Sequence, residues 1–234
     1  MTETEIPLAG GQISTVVRVG DTVRRSIHRD MSLQHALFDH LARKGFSGAP
    51  RFLGHDPQGR EILTFLPGHV PVGEGDFTDV QLVAAARLLR AYHDATTDFA
   101  PVVTAHAEIM CHNDWMPANT VMTDGLPTGM IDFDTAAPGT RLWDLTYSVW
   151  TWLDFGDPDW APAEQRRRME LFIAAYAHPS YTPGLVAACL PARQAGRARW
   201  ARERNMRPAI DWAHACLDWT LANITAFYHP DGMP

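Results

Sequence analysis

Cys111–Asp134 reads CHNDWMPANTVMTDGLPTGMIDFD and holds the side chains best suited to do chemistry. Asp114 stands two residues after His112, Asn119 follows five residues later, and Asp132 and Asp134 bracket Phe133. Between them an apolar stub, the turn Asp124-Gly125-Leu126-Pro127 and a second apolar stub form the pattern of a short hairpin, which brings its ends together. Asp114, Asn119 and Asp132 can then converge on one small volume. Two oxygen ligands, one of them charged, suit a hard cation such as Mg²⁺ when substrate phosphates complete its coordination. A separate carboxylate beside them can take the proton of a hydroxyl nucleophile. That division of labour is the one phosphoryl transfer needs, in which the protein mostly positions groups and neutralises charge.

The elements that must hold these residues are legible on either side. Residues 6–28 read as strands, with a break at Gly10-Gly11-Gln12, a strand Ser14–Val19, a turn at Gly20-Asp21 and a strand Thr22–Arg25. Strand alternation puts Val23 and Arg25 on one side and Arg24 on the other. Leu33, Leu37, Phe38 and Leu41 make a helical stripe across Asp30–Lys44, closed by Gly45. A turn at Pro57-Gln58-Gly59 leads into an apolar strand, Glu61–Leu66, which leaves through Pro67-Gly68. Asp76–Asp94 is a helix with Thr78 as its N-cap, and Asp144 opens another that runs through Trp152. The last third is helical over 163–177, 183–204 and 208–228, with Arg166-Arg167-Arg168 as a solvated helix face.

His-Asn-Asp-Trp-Met-Pro-Ala-Asn followed by Ile-Asp-Phe-Asp, thirteen residues from Asn119 to Asp132, resembles the catalytic loop of the protein-kinase-like phosphotransferases. It is most similar to the aminoglycoside phosphotransferase and choline kinase family. The resemblance implies an α+β, bilobal fold: a small antiparallel-sheet nucleotide-binding lobe over residues 1–68 and a mainly helical lobe over 69–234. It implies ATP and Mg²⁺ as cofactors, with Asp114 as catalytic base and Asn119 and Asp132 as metal ligands. Gly10, Gly11 and Ser14 would bring backbone N–H groups to the phosphates. Arg25 falls where the family carries its phosphate-binding lysine, although a guanidinium is not an ammonium. Phe65 and Leu66 would meet the nucleotide base, mainly through the main chain. Asp144 would hold the loop backbone by hydrogen bonds. Asp134 would reach a second metal or a substrate amine, or cap the next turn, and His112 would support the site. The helix over 30–44 lacks the glutamate that a protein kinase pairs with its lysine. The acceptor pocket would come from the C-terminal helices, with Trp150, Trp152, Trp212 and Trp219 available to line it or to fill the core.

Composition narrows the functional class. The 234 residues are 46% hydrophobic and 20% charged, which is ordinary for a globular domain with a well-filled core. A net charge of −7 argues against nucleic-acid and anionic-membrane partners and is compatible with a cationic small substrate. Cys111, Cys189 and Cys216 are scattered, without metal or disulfide spacing. No apolar run reaches membrane-spanning length, and the acidic start MTETEIP is unlike a signal peptide, so a cytoplasmic protein is expected. The expected activity is transfer of the ATP γ-phosphate to a hydroxyl of a small molecule, an aminoglycoside-like antibiotic or a related metabolite. A silent pseudokinase that binds nucleotide or a small molecule is the alternative.

Overall fold

The computed structural model describes residues 4–8, 16–27, 29–71 and 76–228. Five antiparallel strands form the N-terminal sheet: β1 (Ile6–Pro7), β2 (Val16–Val19), β3 (Thr22–Arg25), β4 (Phe52–His55) and β5 (Glu61–Thr64), in the order β1-β2-β3-β5-β4. Gly20 makes the β2–β3 turn at φ +58°, where a side chain would be strained. Val17 and Val19 alternate inward and are buried. Because β3 lies between β2 and β5, its register sets Arg25 directly opposite Glu61. Helix α1 (Ser32–Arg43) buries Leu37, Phe38 and Leu41, and its His35 ring stacks on Phe52 with centroids 3.6 Å apart.

The chain leaves the sheet through Gly68. Its φ of +139° and the proximity of the Met122 carbonyl oxygen, which a Cβ would overlap, leave room for glycine only. His69 and Met122 exchange two backbone hydrogen bonds of 3.0 and 2.8 Å, which tie the connection to the hairpin that follows. Helix α2 (Asp79–Ala95) starts at a capping box in which the Thr78 side chain and the Gln81 side chain each accept the other's backbone N–H. Its buried face carries Leu82, Ala86, Leu89 and Tyr92 at helical spacing.

A short helix, α3 (Ala100–Thr104), precedes β6 (Ile109–Cys111), the hairpin β7 (Thr120–Thr123) and β8 (Leu126–Met130), and β9 (Ala137–Gly139), which pairs with β6. The hairpin turns on Asp124 and Gly125, both at positive φ. Helices α4 (Arg141–Trp152), α5 (Pro162–Tyr176), α6 (Pro183–Glu203) and α7 (Arg207–Asn223) complete the fold. α4 starts at Arg141, not at Asp144, because the Thr140 hydroxyl caps it by accepting the Trp143 N–H. Trp115, Trp150 and Trp152 are fully buried, and Trp212 stacks on Trp150 at 4.4 Å, so these indoles are core.

Candidate active site

The loop after β6 is organised from beneath by Asp144. Its buried carboxylate accepts the His112 N–H at 2.8 Å, the Asn113 N–H at 2.7 Å and the His93 Nε2–H at 3.0 Å. Burial works to raise the Asp144 pKa, but the His93 hydrogen bond and surrounding charge outweigh it and hold the group below the usual carboxylate range. Burial pushes the His93 and His112 pKa values down, which favours the neutral form of both rings. With Nε2 donating to Asp144, His93 Nδ1 accepts from the Tyr176 hydroxyl at 2.7 Å. Asn113 sits at φ +66°, a left-handed conformation that asparagine tolerates, and this lets two consecutive N–H groups point at one carboxylate.

Asp114 emerges from that scaffold. Its Oδ1 accepts from the Tyr147 hydroxyl and lies 3.5 Å from Arg197 Nη1. Asn119 ends a short 3₁₀ turn, Pro117–Asn119, and donates Nδ2–H to the Asp114 carbonyl at 2.8 Å. The same Nδ2 lies 3.4 Å from Asp114 Oδ2. The Ile131 N–H donates to the Asn119 carbonyl at 3.0 Å, so the hairpin closes one residue before Asp132. Asp132 adopts the left-handed conformation, φ +63° and ψ +61°, with its carboxylate half exposed. Burial, and then the neighbouring Asp134, raise its pKa, against the pull of Arg25. His112 lies beneath, with Nε2 donating to the Ile131 carbonyl at 3.1 Å.

Arg25 reaches this cluster from β3. Its Nη1 is 2.6 Å from Asp134 Oδ1 and 3.9 Å from Asp132 Oδ1, while Nε donates to Glu61 Oε2 at 2.7 Å. Burial opposes the charge, but Asp134 and Glu61 outweigh it and raise the Arg25 pKa above its ordinary value. The carboxylate that α1 lacks therefore comes from β5. Glu61 is fully buried, and its other oxygen meets His35 Nε2 of α1 at 2.6 Å. Asp134 also receives Arg29, at 3.1 Å on its carboxylate and 2.6 Å on its carbonyl. Phe65 donates its N–H to the Asp21 carbonyl at 2.9 Å, and Arg18 lies 3.8 Å over its ring. Leu66 faces Gly129 of β8. Gly10, Gly11 and Ser14 lie outside the described residues.

Sequence reasoning missed Glu61, Tyr147, Arg193 and Arg197. A lone glutamate heading an apolar strand was a usable signal for the first, and the arginine-rich run 193–207 for the last two. Two surface depressions of 460 and 620 Å³, both touching Glu170 between α5 and α6, contain none of these side chains.

Residues 99–183, which hold the whole loop and hairpin, match the model of the phosphotransferase enzyme family. The trifolitoxin immunity protein of Rhizobium leguminosarum bv. trifolii is 32% identical over 169 residues, 66% of this chain, and the chain spans only 64% of that protein's length. A choline/ethanolamine kinase family protein of Mesorhizobium loti superposes with a TM-score of 0.62 at 16% identity, over 99% of this chain and 90% of that one. The macrolide 2′-phosphotransferase of Brachybacterium faecium gives 0.61 at 18% identity, over 92% of each chain. The fold of the chain is thus kinase-like, α+β with a small antiparallel sheet and a helical body. Among its described residues no helix is long and apolar enough to cross a membrane.

Proposed function

We propose that the chain is a small-molecule kinase that moves the γ-phosphate of ATP to a hydroxyl, with the nucleotide between a 1–68 lobe and a 69–234 lobe. The observation that carries this reading is the meeting of Arg25 from the sheet with Asp132 beyond the hairpin, 3.9 Å apart, on the loop that also presents Asp114 and Asn119. In it Arg25 faces phosphate, and Asp114 orients the acceptor hydroxyl and receives its proton. Asn119 and Asp132 fit Mg²⁺ by their donor set: an amide whose Nδ2 is held by the Asp114 carbonyl, and a half-exposed carboxylate. No cluster of three or more His, Cys, Asp or Glu able to hold a metal occurs among the described residues, so phosphate oxygens would complete the coordination. When bound, Mg²⁺ would neutralise the β- and γ-phosphates. Similarity to the trifolitoxin immunity protein makes a toxin one acceptor to test, alongside metabolites. A cytoplasmic site of action follows from the need for ATP.

The second reading, a binding module without turnover, draws on the engagement of Asp114 by Tyr147 and Arg197. Calorimetric titration with a non-hydrolysable ATP analogue, with and without Mg²⁺, separates the two when paired with turnover assays. Asp132→Asn should weaken Mg²⁺-dependent binding by about tenfold or more. Asp114→Ala should abolish phosphoryl transfer and leave nucleotide binding nearly intact. Variants that bind and turn over like the parent would remove the site assignment.

A further inference from the structure

We infer that the acceptor is a hydroxyl compound bearing a carboxylate or phosphate group, held by the arginines of α6. The inference rests on the reading above, that Asp114 faces the acceptor. Residues 193–207 carry six arginines, Arg193, Arg197, Arg199, Arg202, Arg204 and Arg207, against one acid, Glu203, in a chain of net charge −7. Positions 193, 197, 200 and 204 recur at helical spacing and share one face.

Along that face the arginines pass from structural work to unfilled capacity. Arg193 supports the loop, donating to the Asn113 carbonyl at 2.7 Å, with its guanidinium 4.6 Å from the Trp143 ring and 4.5 Å from that of Tyr147. One turn on, Arg197 meets Asp114 only at 3.5 Å, and its buried Nε–H has no acceptor among the described residues. Arg197 and Arg204 both lie over the Trp200 ring, at 4.3 and 4.4 Å, and Arg204 stays half exposed, 3.6 Å from Glu203. The indole thus fixes two guanidiniums in place without neutralising either. From Arg197 to Arg204 the helix rises about 10 Å, the span of a small molecule.

Guanidinium forks match carboxylate and phosphate oxygens two by two. An amine in the same place would meet like charge at close range. With the acid group on Arg197, and Arg204 adding its charge from further along the same face, the acceptor's hydroxyl lies toward Asp114. Its oxygen forms the new bond to phosphorus, the bond from phosphorus to the departing nucleoside diphosphate breaks, and the hydroxyl proton passes to Asp114.

The test is a matched set of three-carbon diols: glycerol, 3-amino-1,2-propanediol, glycerate and glycerol 3-phosphate. Each is titrated calorimetrically into parent, Arg197→Gln, Arg197→Lys and Arg204→Gln protein, with and without Mg²⁺ and the ATP analogue. The anionic members should bind at least about tenfold more tightly than the neutral and amino members. Arg197→Gln should erase that preference, Arg197→Lys should keep part of it, and the exposed Arg204→Gln, which cannot unfold the site, should reduce it. Equal or tighter binding of the amino diol, no binding of either anionic member, or an unchanged preference in folded Arg197→Gln overturns the inference. Failure of analogue binding with the anion preference intact instead removes the phosphotransferase reading and leaves the anion site standing.

Discussion

At the scale of single residues, the site depends on charges that would be costly alone. Arg25 is nearly buried and is kept charged by Glu61 on one side and Asp134 on the other. Removing one partner of a buried pair leaves the other charge uncompensated, at about 3–5 kcal/mol. Glu61→Leu should therefore lower stability by about 3 kcal/mol, near the low end because Asp134 remains, and it should also weaken binding of the ATP analogue. Glu61→Gln, which keeps the hydrogen bond to Arg25, should lose less of both. Chemical denaturation and calorimetry on the same samples check this, and a Leu variant as stable as the parent would contradict it. That Asp114, Asn119 and Asp132 lie near one another could be read from the sequence, because one loop and one hairpin join them locally. Glu61 reaches Arg25 across 36 residues and Arg197 reaches Asp114 across 83, distances over which spacing carries no signal.

At the scale of elements, turns and caps fix where those residues stand. The turn at Gly20, the capping box at Thr78 and the hairpin at Asp124-Gly125 are short-range chemistry, so the elements were legible with most ends off by one to three residues, and the last helix stops at Asn223, five residues short of the expected end. Register was not: nothing in the local sequence states that β3 pairs with β5, or that Arg25 falls opposite Glu61. Gly68 shows how an element boundary can control the site. Gly68→Ala adds a left-side φ penalty and a clash with the Met122 carbonyl, and a cost of about 1–3 kcal/mol follows unless the connection moves. Thermal unfolding should report that loss. Movement of the connection would also break the His69–Met122 bonds, which amide exchange of Met122 would register as lost protection.

At the scale of the whole molecule, the buried histidines set a pH limit on folding. His93 and His112 have native pKa values pushed below the unfolded value of about 6.5 by burial, so the unfolded chain binds more protons as the solution is acidified. Stability should hold near and above pH 7 and fall as pH drops through about 6.5. Asp144, with its lowered native pKa, contributes stability above its unfolded value of about 3.9 that is lost as pH falls further, through the native value. A melting temperature unchanged between pH 7 and 5 would contradict the first limb.

Glu61 sits on the strand next to Arg25, so the pair is wired by sheet register. Among the described ion pairs, α1 meets it through His35. Swinging that helix outward would cost the His35 contact and leave the guanidinium in place. Displacement of that helix would then have little leverage on the Arg25–Glu61 pair, which the sheet holds by itself.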